Sequence, residues 1–109
     1  MATREAVKIM KANSINGHIV HINSMCGHRV PGVPYINVYA ASKYAVTALT
    51  ETLRQELNQL GSKIKVTSVS PGLVATEMTT FNQNITPEKK AYFDKSPIIK
   101  AEDIADSVM

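Results

Sequence analysis

The chain holds a single cysteine, Cys26, so no internal disulfide can form, and a sequence without a disulfide framework fits a reducing compartment. Long apolar runs are missing: no stretch approaches the roughly 20 residues that a membrane-spanning helix needs. The opening segment MATREAVKIMK mixes acidic and basic side chains and has no apolar core of the signal-peptide kind. Basic clustering is missing too. The net charge of +3 comes from scattered Lys and Arg, and the longest basic run is the pair Lys89-Lys90, which leaves no nucleic-acid footprint. Neither internal repeats nor low-complexity segments occur. These absences point to a cytoplasmic protein with no membrane span.

What remains is an ordinary globular composition, 44% apolar and 19% charged over 109 residues, enough for one small domain. Thr3 to Ala12 reads as a helix with a partial apolar stripe of Ala6, Val7, Ile9 and Met10. After a turn through Asn13, Ser14, Asn16 and Gly17, the β-branched run His18 to Asn23 suits a buried strand. Ser24 to Asn37, with Gly27, Pro31, Gly32 and Pro34, reads as a loop. Between Tyr39 and Leu60 there is no Gly or Pro. Ala41, Ala45, Ala48, Leu49, Thr52, Leu53, Glu56, Leu57 and Leu60 follow the spacing of one helix face. Gly61 stands where a left-handed C-terminal residue is expected. Ile64 to Ser70 alternates as a second strand and stops at Pro71-Gly72. A polar stretch to Asn84, a short helix near Pro87–Asp94 and a last helix from near Ala101 complete the chain.

Helix, strand, long helix, strand and helices in that order imply an α/β fold, a parallel sheet covered by helices in right-handed crossovers. Two strands make a poor parallel sheet, because strands buried on both faces need neighbours. The pattern therefore reads as a fragment of a larger doubly wound domain.

Tyr39 and Lys43, four apart at the start of the long helix, share one face about a turn apart. A phenol ordinarily titrates near 10, and acid/base groups work best with a pKa near the working pH. An ammonium ~4–5 Å away at an effective dielectric of ~20 favours a phenolate by about 3–4 kcal/mol. Tyr-x-x-x-Lys is thus a sound arrangement for a phenol that exchanges protons. The spacing alone is also that of an ordinary helical pair, with Tyr in the core and Lys in water.

Context narrows the choice. Gly17-His18-Ile19-Val20-His21-Ile22-Asn23-Ser24, then Tyr39-Ala40-Ala41-Ser42-Lys43, then Val69-Ser70-Pro71-Gly72-Leu73-Val74-Ala75-Thr76 stand in this order. Here the sequence resembles the short-chain dehydrogenase/reductase family. In that family a Gly-initiated strand ends in Ser, and Tyr-x-x-x-Lys and Pro-Gly-x-(Val/Ile)-x-Thr follow. The resemblance implies a partial Rossmann-type sheet, residues 1–109 being the C-terminal part of a single domain without its N-terminal βαβ nucleotide-binding half. It implies Ser24, Tyr39 and Lys43 as catalytic residues: a hydroxyl for the substrate oxygen, the general acid/base, and the cation beside it. Tyr39, Lys43, Pro71, Gly72, Val74 and Thr76 are implied to bind the cofactor, NADP or NAD, which would carry the hydride.

Plainer roles stand beside these. Ser24 could cap a turn after the strand, Thr76 could be a loop hydroxyl, and Met25 and Cys26 could line a substrate pocket or simply pack. His18, His21, Cys26 and His28 match no common zinc spacing, so no metal is expected, and His21 reads as a satisfied residue on a buried strand. No glycine-rich turn for a pyrophosphate and no Asn-Ala-Gly stretch occur. The fragment is therefore expected to turn over poorly by itself. Ser24 to Val30 and Tyr44 to Glu51 resemble a branch of the family that prefers NADP and acts on steroid, terpenoid or related alcohol/carbonyl pairs. The family's dimer or tetramer contacts match helices 3–12 and 40–60. That leaves a second expectation, a non-catalytic chain that associates with an intact subunit.

Overall fold

A computed structural model of the chain describes residues 1–32, 36–75 and 99–109. Helix α1 spans Ala2–Ala12 and strand β1 spans His18–Ile22. A short 3-10 helix at Met25–Gly27 leads towards helix α2, Tyr39–Gln59, and strand β2, Lys65–Val69. The expected α/β architecture is present, with β1 and β2 pairing in parallel from His18↔Lys65 to Ile22↔Val69. Two further bonds extend the ladder: Asn23 N–H donates to the Val69 carbonyl at 2.7 Å and Met25 N–H to the Pro71 carbonyl at 2.9 Å.

Helix α2 ends as its sequence predicts. Gly61 takes φ +66°, and its N–H reaches the Asn58 carbonyl at 3.0 Å while Ser62 N–H reaches the Leu57 carbonyl at 2.9 Å. This paired closure satisfies carbonyls that the last turn would otherwise leave open, and it needs a left-handed residue. The chain then turns straight into β2.

The core is small. Ile19 of β1, Leu57 of α2 and Ile64 just before β2 are buried together, with Val7, Met10, Leu53 and Val66 packed around them. Both helices thus meet the β1–β2 pair through this cluster. The side of α2 that faces inward differs from the stripe read in the sequence. Ala40 and Leu57 are buried and Lys43, Val46, Thr47, Thr50 and Leu53 half-buried, whereas Ala41, Ala45, Ala48, Thr52, Glu56 and Leu60 are exposed and Leu49 is 62% exposed. The reason is chemical. The strand presents His21 and Asn23 to α2, and threonines meet their polar atoms better than alanines.

Beyond Pro71 the chain forms β3, Val74–Ala75, which pairs in parallel with β4, Ile99–Lys100, and runs into α3, Ala101–Val108. The last helix was expected near there. The two-residue pairing was not, because a segment that short has no readable period. The polar stretch to Asn84 and the helix near Pro87–Asp94 fall outside the described residues. Among the described residues, no helix is long and apolar enough to cross a membrane.

Candidate active site

Ser24 lies where β1 gives way to the short 3-10 helix. Its backbone is extended, φ −159° and ψ 157°, and its hydroxyl oxygen accepts the Cys26 N–H at 3.1 Å. The residue therefore caps a turn, the plainer of its two expected roles, while among the described residues the hydroxyl proton has no acceptor. Ser24 is buried, with 8% of its surface exposed. The ladder bonds from Asn23 and Met25 hold it between the C-terminal ends of two parallel strands. Crevices at such ends are where open parallel sheets take ligands.

Tyr39 opens α2. The preceding Asn37 adopts φ 49°, a left-handed conformation that Asn tolerates better than most residues, and so turns the chain into the helix. Tyr39 N–H donates to the Ile36 carbonyl at 2.9 Å and its own carbonyl accepts from the Ser42 hydroxyl at 2.7 Å. Tyr39 is 37% exposed, and the Lys43 ammonium lies over its ring, 5.6 Å from the centre. This is cation–π geometry, worth about 0.5–1 kcal/mol at an exposed site. Among the described residues the Lys43 ammonium has no carboxylate partner.

One turn beyond Lys43 stands Thr47, a residue that no motif in the sequence singles out. Its hydroxyl donates to the Gly27 carbonyl at 2.8 Å and accepts from the Asn23 side-chain amide at 2.8 Å. Asn23 is 4% exposed. Thr47 therefore ties α2 to both sides of Ser24. One turn further, Thr50 does the same for β1. It donates to the Val46 carbonyl at 2.8 Å and so takes the proton of His21 Nδ1 at 2.7 Å, leaving His21 Nε2 to accept from the Thr3 hydroxyl at 3.0 Å. His21 is the satisfied strand residue that the sequence suggested. The signal that could have revealed both threonines is the pair of polar side chains in an otherwise β-branched strand, since such groups require partners once covered.

The remaining candidates are brought together in part. Pro71 is half-buried and accepts from Met25 N–H, so the Pro71–Gly72 turn stands beside Ser24. Gly72 is exposed, and among the described residues a side chain there would meet only Met25 Sδ, 3.8 Å from the position of a Cβ. Among those residues the approach to the backbone at the strand ends is open. Val74 begins β3, opposite Ile99. Thr76 lies outside the described residues. His28 Nε2 bonds the Ser70 hydroxyl at 3.0 Å, another link between the two strand ends, and His18 Nε2 bonds Thr67 at 2.7 Å. Cys26 is buried and in no disulfide. A separate groove of about 760 Å³ runs between α1, β1 and α2, and neither Ser24, Tyr39 nor Lys43 lines it.

A family model described as short chain dehydrogenase matches residues 1–86. The chain belongs to the short-chain dehydrogenase family. Farnesol dehydrogenase from Aedes aegypti is 47% identical over all of this chain, which covers 41% of that protein. Dehydrogenase/reductase SDR family member 11 from Homo sapiens is 44% identical, again over the whole chain and 43% of the relative. The chain thus spans about two fifths of the length of the curated relatives it matches. Among solved structures, 4-hydroxyisoleucine dehydrogenase complexed with NADH is 28% identical with a TM-score of 0.72, covering 98% of this chain and 44% of the other. Serine dehydrogenase complexed with NADP+ is 27% identical with a TM-score of 0.73, covering 97% and 42%. The likeness to these dehydrogenases bears out the Rossmann-type α/β fold.

Proposed function

We propose that this chain carries the proton-handling part of an NADP- or NAD-dependent oxidoreductase that interconverts an alcohol and its carbonyl. The observation that carries the reading is one flank of α2. It sets Tyr39 and Lys43 one turn apart and, through Thr47, is bonded to both sides of Ser24. A nicotinamide dinucleotide supplies or accepts the hydride when bound.

In this reading the Ser24 hydroxyl donates to the substrate oxygen, its own oxygen already engaged by Cys26 N–H. The Tyr39 hydroxyl passes a proton to that oxygen in reduction and takes one from it in oxidation. The Lys43 ammonium stabilises negative charge at the phenol and, without a carboxylate partner among the described residues, has donors to spare for ribose hydroxyls. The open backbone at Gly72 beside Ser24 fits a flat ring laid against the strand ends, with Pro71, Val74 and Thr76 positioning it. The residues present thus suit the nicotinamide and its ribose. The sequence has no glycine-rich turn for the pyrophosphate, so turnover belongs to a protein in which residues 1–109 form one domain with a nucleotide-binding βαβ half. The similarity to farnesol dehydrogenase supports a terpenoid or related apolar substrate, and the likeness to dehydrogenases complexed with NADH and NADP+ supports a nicotinamide dinucleotide as the carrier.

The test replaces the matching segment of the Aedes aegypti relative with these 109 residues and assays farnesol oxidation with NADP+. The chimera turns over, the isolated 109 residues do not, and Tyr39→Phe in the chimera loses turnover while keeping its helical circular dichroism. Full activity in Tyr39→Phe would remove the phenol from the chemistry.

A second reading is association with an intact subunit, or pairing of like chains, through α1 and α2. It is favoured by the exposed apolar residues on those helices, with Ile9 58% and Leu49 62% exposed. Light scattering of the chain with and without the intact relative tests it, a monomer in both cases refuting it.

A further inference from the structure

We propose that Thr47 and Asn23 are positioning residues: their hydrogen bond sets the rotation of α2 about its axis, and so where Tyr39 and Lys43 stand relative to Ser24. This inference rests on the alcohol/carbonyl reading above. Residues 39, 43 and 47 succeed one another at four-residue intervals along one flank of the helix. Whatever fixes Thr47 against the sheet therefore fixes the other two.

The Thr47 hydroxyl has one proton. It goes to the Gly27 carbonyl at 2.8 Å in preference to the Lys43 carbonyl of its own helix, which is farther at 3.3 Å. Its oxygen then accepts the Asn23 amide at 2.8 Å. The two partners bracket Ser24, for Asn23 precedes it in the chain and Gly27 N–H donates to the Ser24 carbonyl at 2.9 Å. The contact has no slack. A Cβ on Gly27 would stand 2.6 Å from Thr47 Oγ1 and 2.7 Å from the Asn23 amide nitrogen.

A purely packing role does not account for the choice of residues. Asn23 is 4% exposed and its Oδ1 has no partner among the described residues. A buried unpaired acceptor is destabilising, and an apolar side chain at this strand end would avoid it. The amide remains intelligible as the donor that Thr47 needs. Near the cluster the ladder bonds already hold β1 to β2, so the Asn23–Thr47 bond adds alignment of the helix rather than closure of the sheet.

The chimera carrying Thr47→Val tests this, since valine keeps the shape and removes both bonds. Small misplacements of reacting groups are costly, and kcat is expected to fall about tenfold or more. KM for NADP+ is expected to change less than about twofold, and Thr47→Ser to restore kcat to within about twofold of the parent. Because both substitutions break the same Asn23–Thr47 bond, Asn23→Ser added to Thr47→Val lowers kcat by less than about a further twofold. Parental kcat in Thr47→Val, or Thr47→Ser as slow as Thr47→Val, overturns the proposal. If Thr47→Val does not fold, Asn23→Ser alone carries the same expectations. Tyr39→Phe run alongside separates the two failures. Turnover retained there sinks the chemical reading itself, whereas a dead Tyr39→Phe with a fast Thr47→Val sinks only the positioning role.

Discussion

Gly27→Ala examines the tight approach of the short 3-10 helix to α2. The added methyl would stand 2.6 Å from Thr47 Oγ1 and 2.7 and 2.8 Å from the Asn23 amide atoms, none of them the free end of a flexible chain. Threonine is branched on a helix and Asn23 is buried, so something must shift. Overpacking of this kind costs about 1–3 kcal/mol, and stretching two hydrogen bonds adds about 1 kcal/mol each. Gly27 has no positive φ, so alanine also brings an opposing gain of about 0.4–1 kcal/mol from a less flexible unfolded chain. The clash wins by about 2–5 kcal/mol. With a urea slope of about 2 kcal/mol per molar, the unfolding midpoint drops by roughly 1–2 M. Urea unfolding followed by helical circular dichroism measures it. In a Thr47→Ala background the same substitution costs at least about 1 kcal/mol less, because the nearest atom is gone. Gly32, with nothing among the described residues within 4 Å of a Cβ, is the control, and its alanine variant stays within about 0.5 kcal/mol. A midpoint for Gly27→Ala at or above the parent's would refute the close approach and the alignment built on it.

Other substitutions probe separate parts of the fold. Leu57→Ala empties a site that is 3% exposed at the centre of the small core and destabilises by about 2–4 kcal/mol, read from the same urea midpoint. On the outer face of α2, Arg54 donates twice to the Glu51 carboxylate, at 2.6 and 2.8 Å, and Gln55 once at 3.0 Å. These bonds lower the Glu51 pKa from 4.5 to about 2, the Arg54 bond most of all. A carboxyl depressed in the folded state stabilises fully above its unfolded pKa and loses that contribution as the pH falls towards about 2. The thermal midpoints of the parent and of Arg54→Met therefore differ above pH ~5 and converge in acid, less visibly in high salt; a constant difference across that range contradicts the assignment.

Much of the frame was legible because its signals are periodic or conformational. A glycine- and proline-free stretch marked α2, Gly61 marked its end, and β-branched runs marked β1 and β2. The inward face of α2 was not legible by the same means. Hydropathy favours Ala45, Ala48 and Leu49, all exposed, over Thr47 and Thr50, which meet the sheet. A pattern of apolar residues finds where water is excluded, and polar contacts that are satisfied inside carry no such mark. The same limit applies to Ser24. Its motif named a hydroxyl, and only coordinates could add that the hydroxyl oxygen is already accepting a bond from Cys26 N–H. The β3–β4 pairing was beyond reach for another reason, since two residues cannot display a period of two.

Helix α2 is attached to the sheet by different chemistry along its length. Towards its C-terminus Leu53 and Leu57 pack against Ile19 and Ile64, a contact that is favourable over a range of rotations because apolar burial is non-directional. Midway, Thr47 and Thr50 bond Asn23, Gly27 and His21, and hydrogen bonds weaken steeply as their angle changes. Apolar packing therefore holds the helix on the sheet, and the threonines decide how it is turned. The directional contacts sit one and two turns beyond Lys43, close enough that little helix remains to flex before Tyr39 is reached. A helix fixed only at its Leu57 end would let the Tyr39 end swing against the strand tips. With Thr47 bonded on both sides of Ser24, the three groups proposed to exchange and steady a proton share one rigid frame, and the apolar end can vary without moving them.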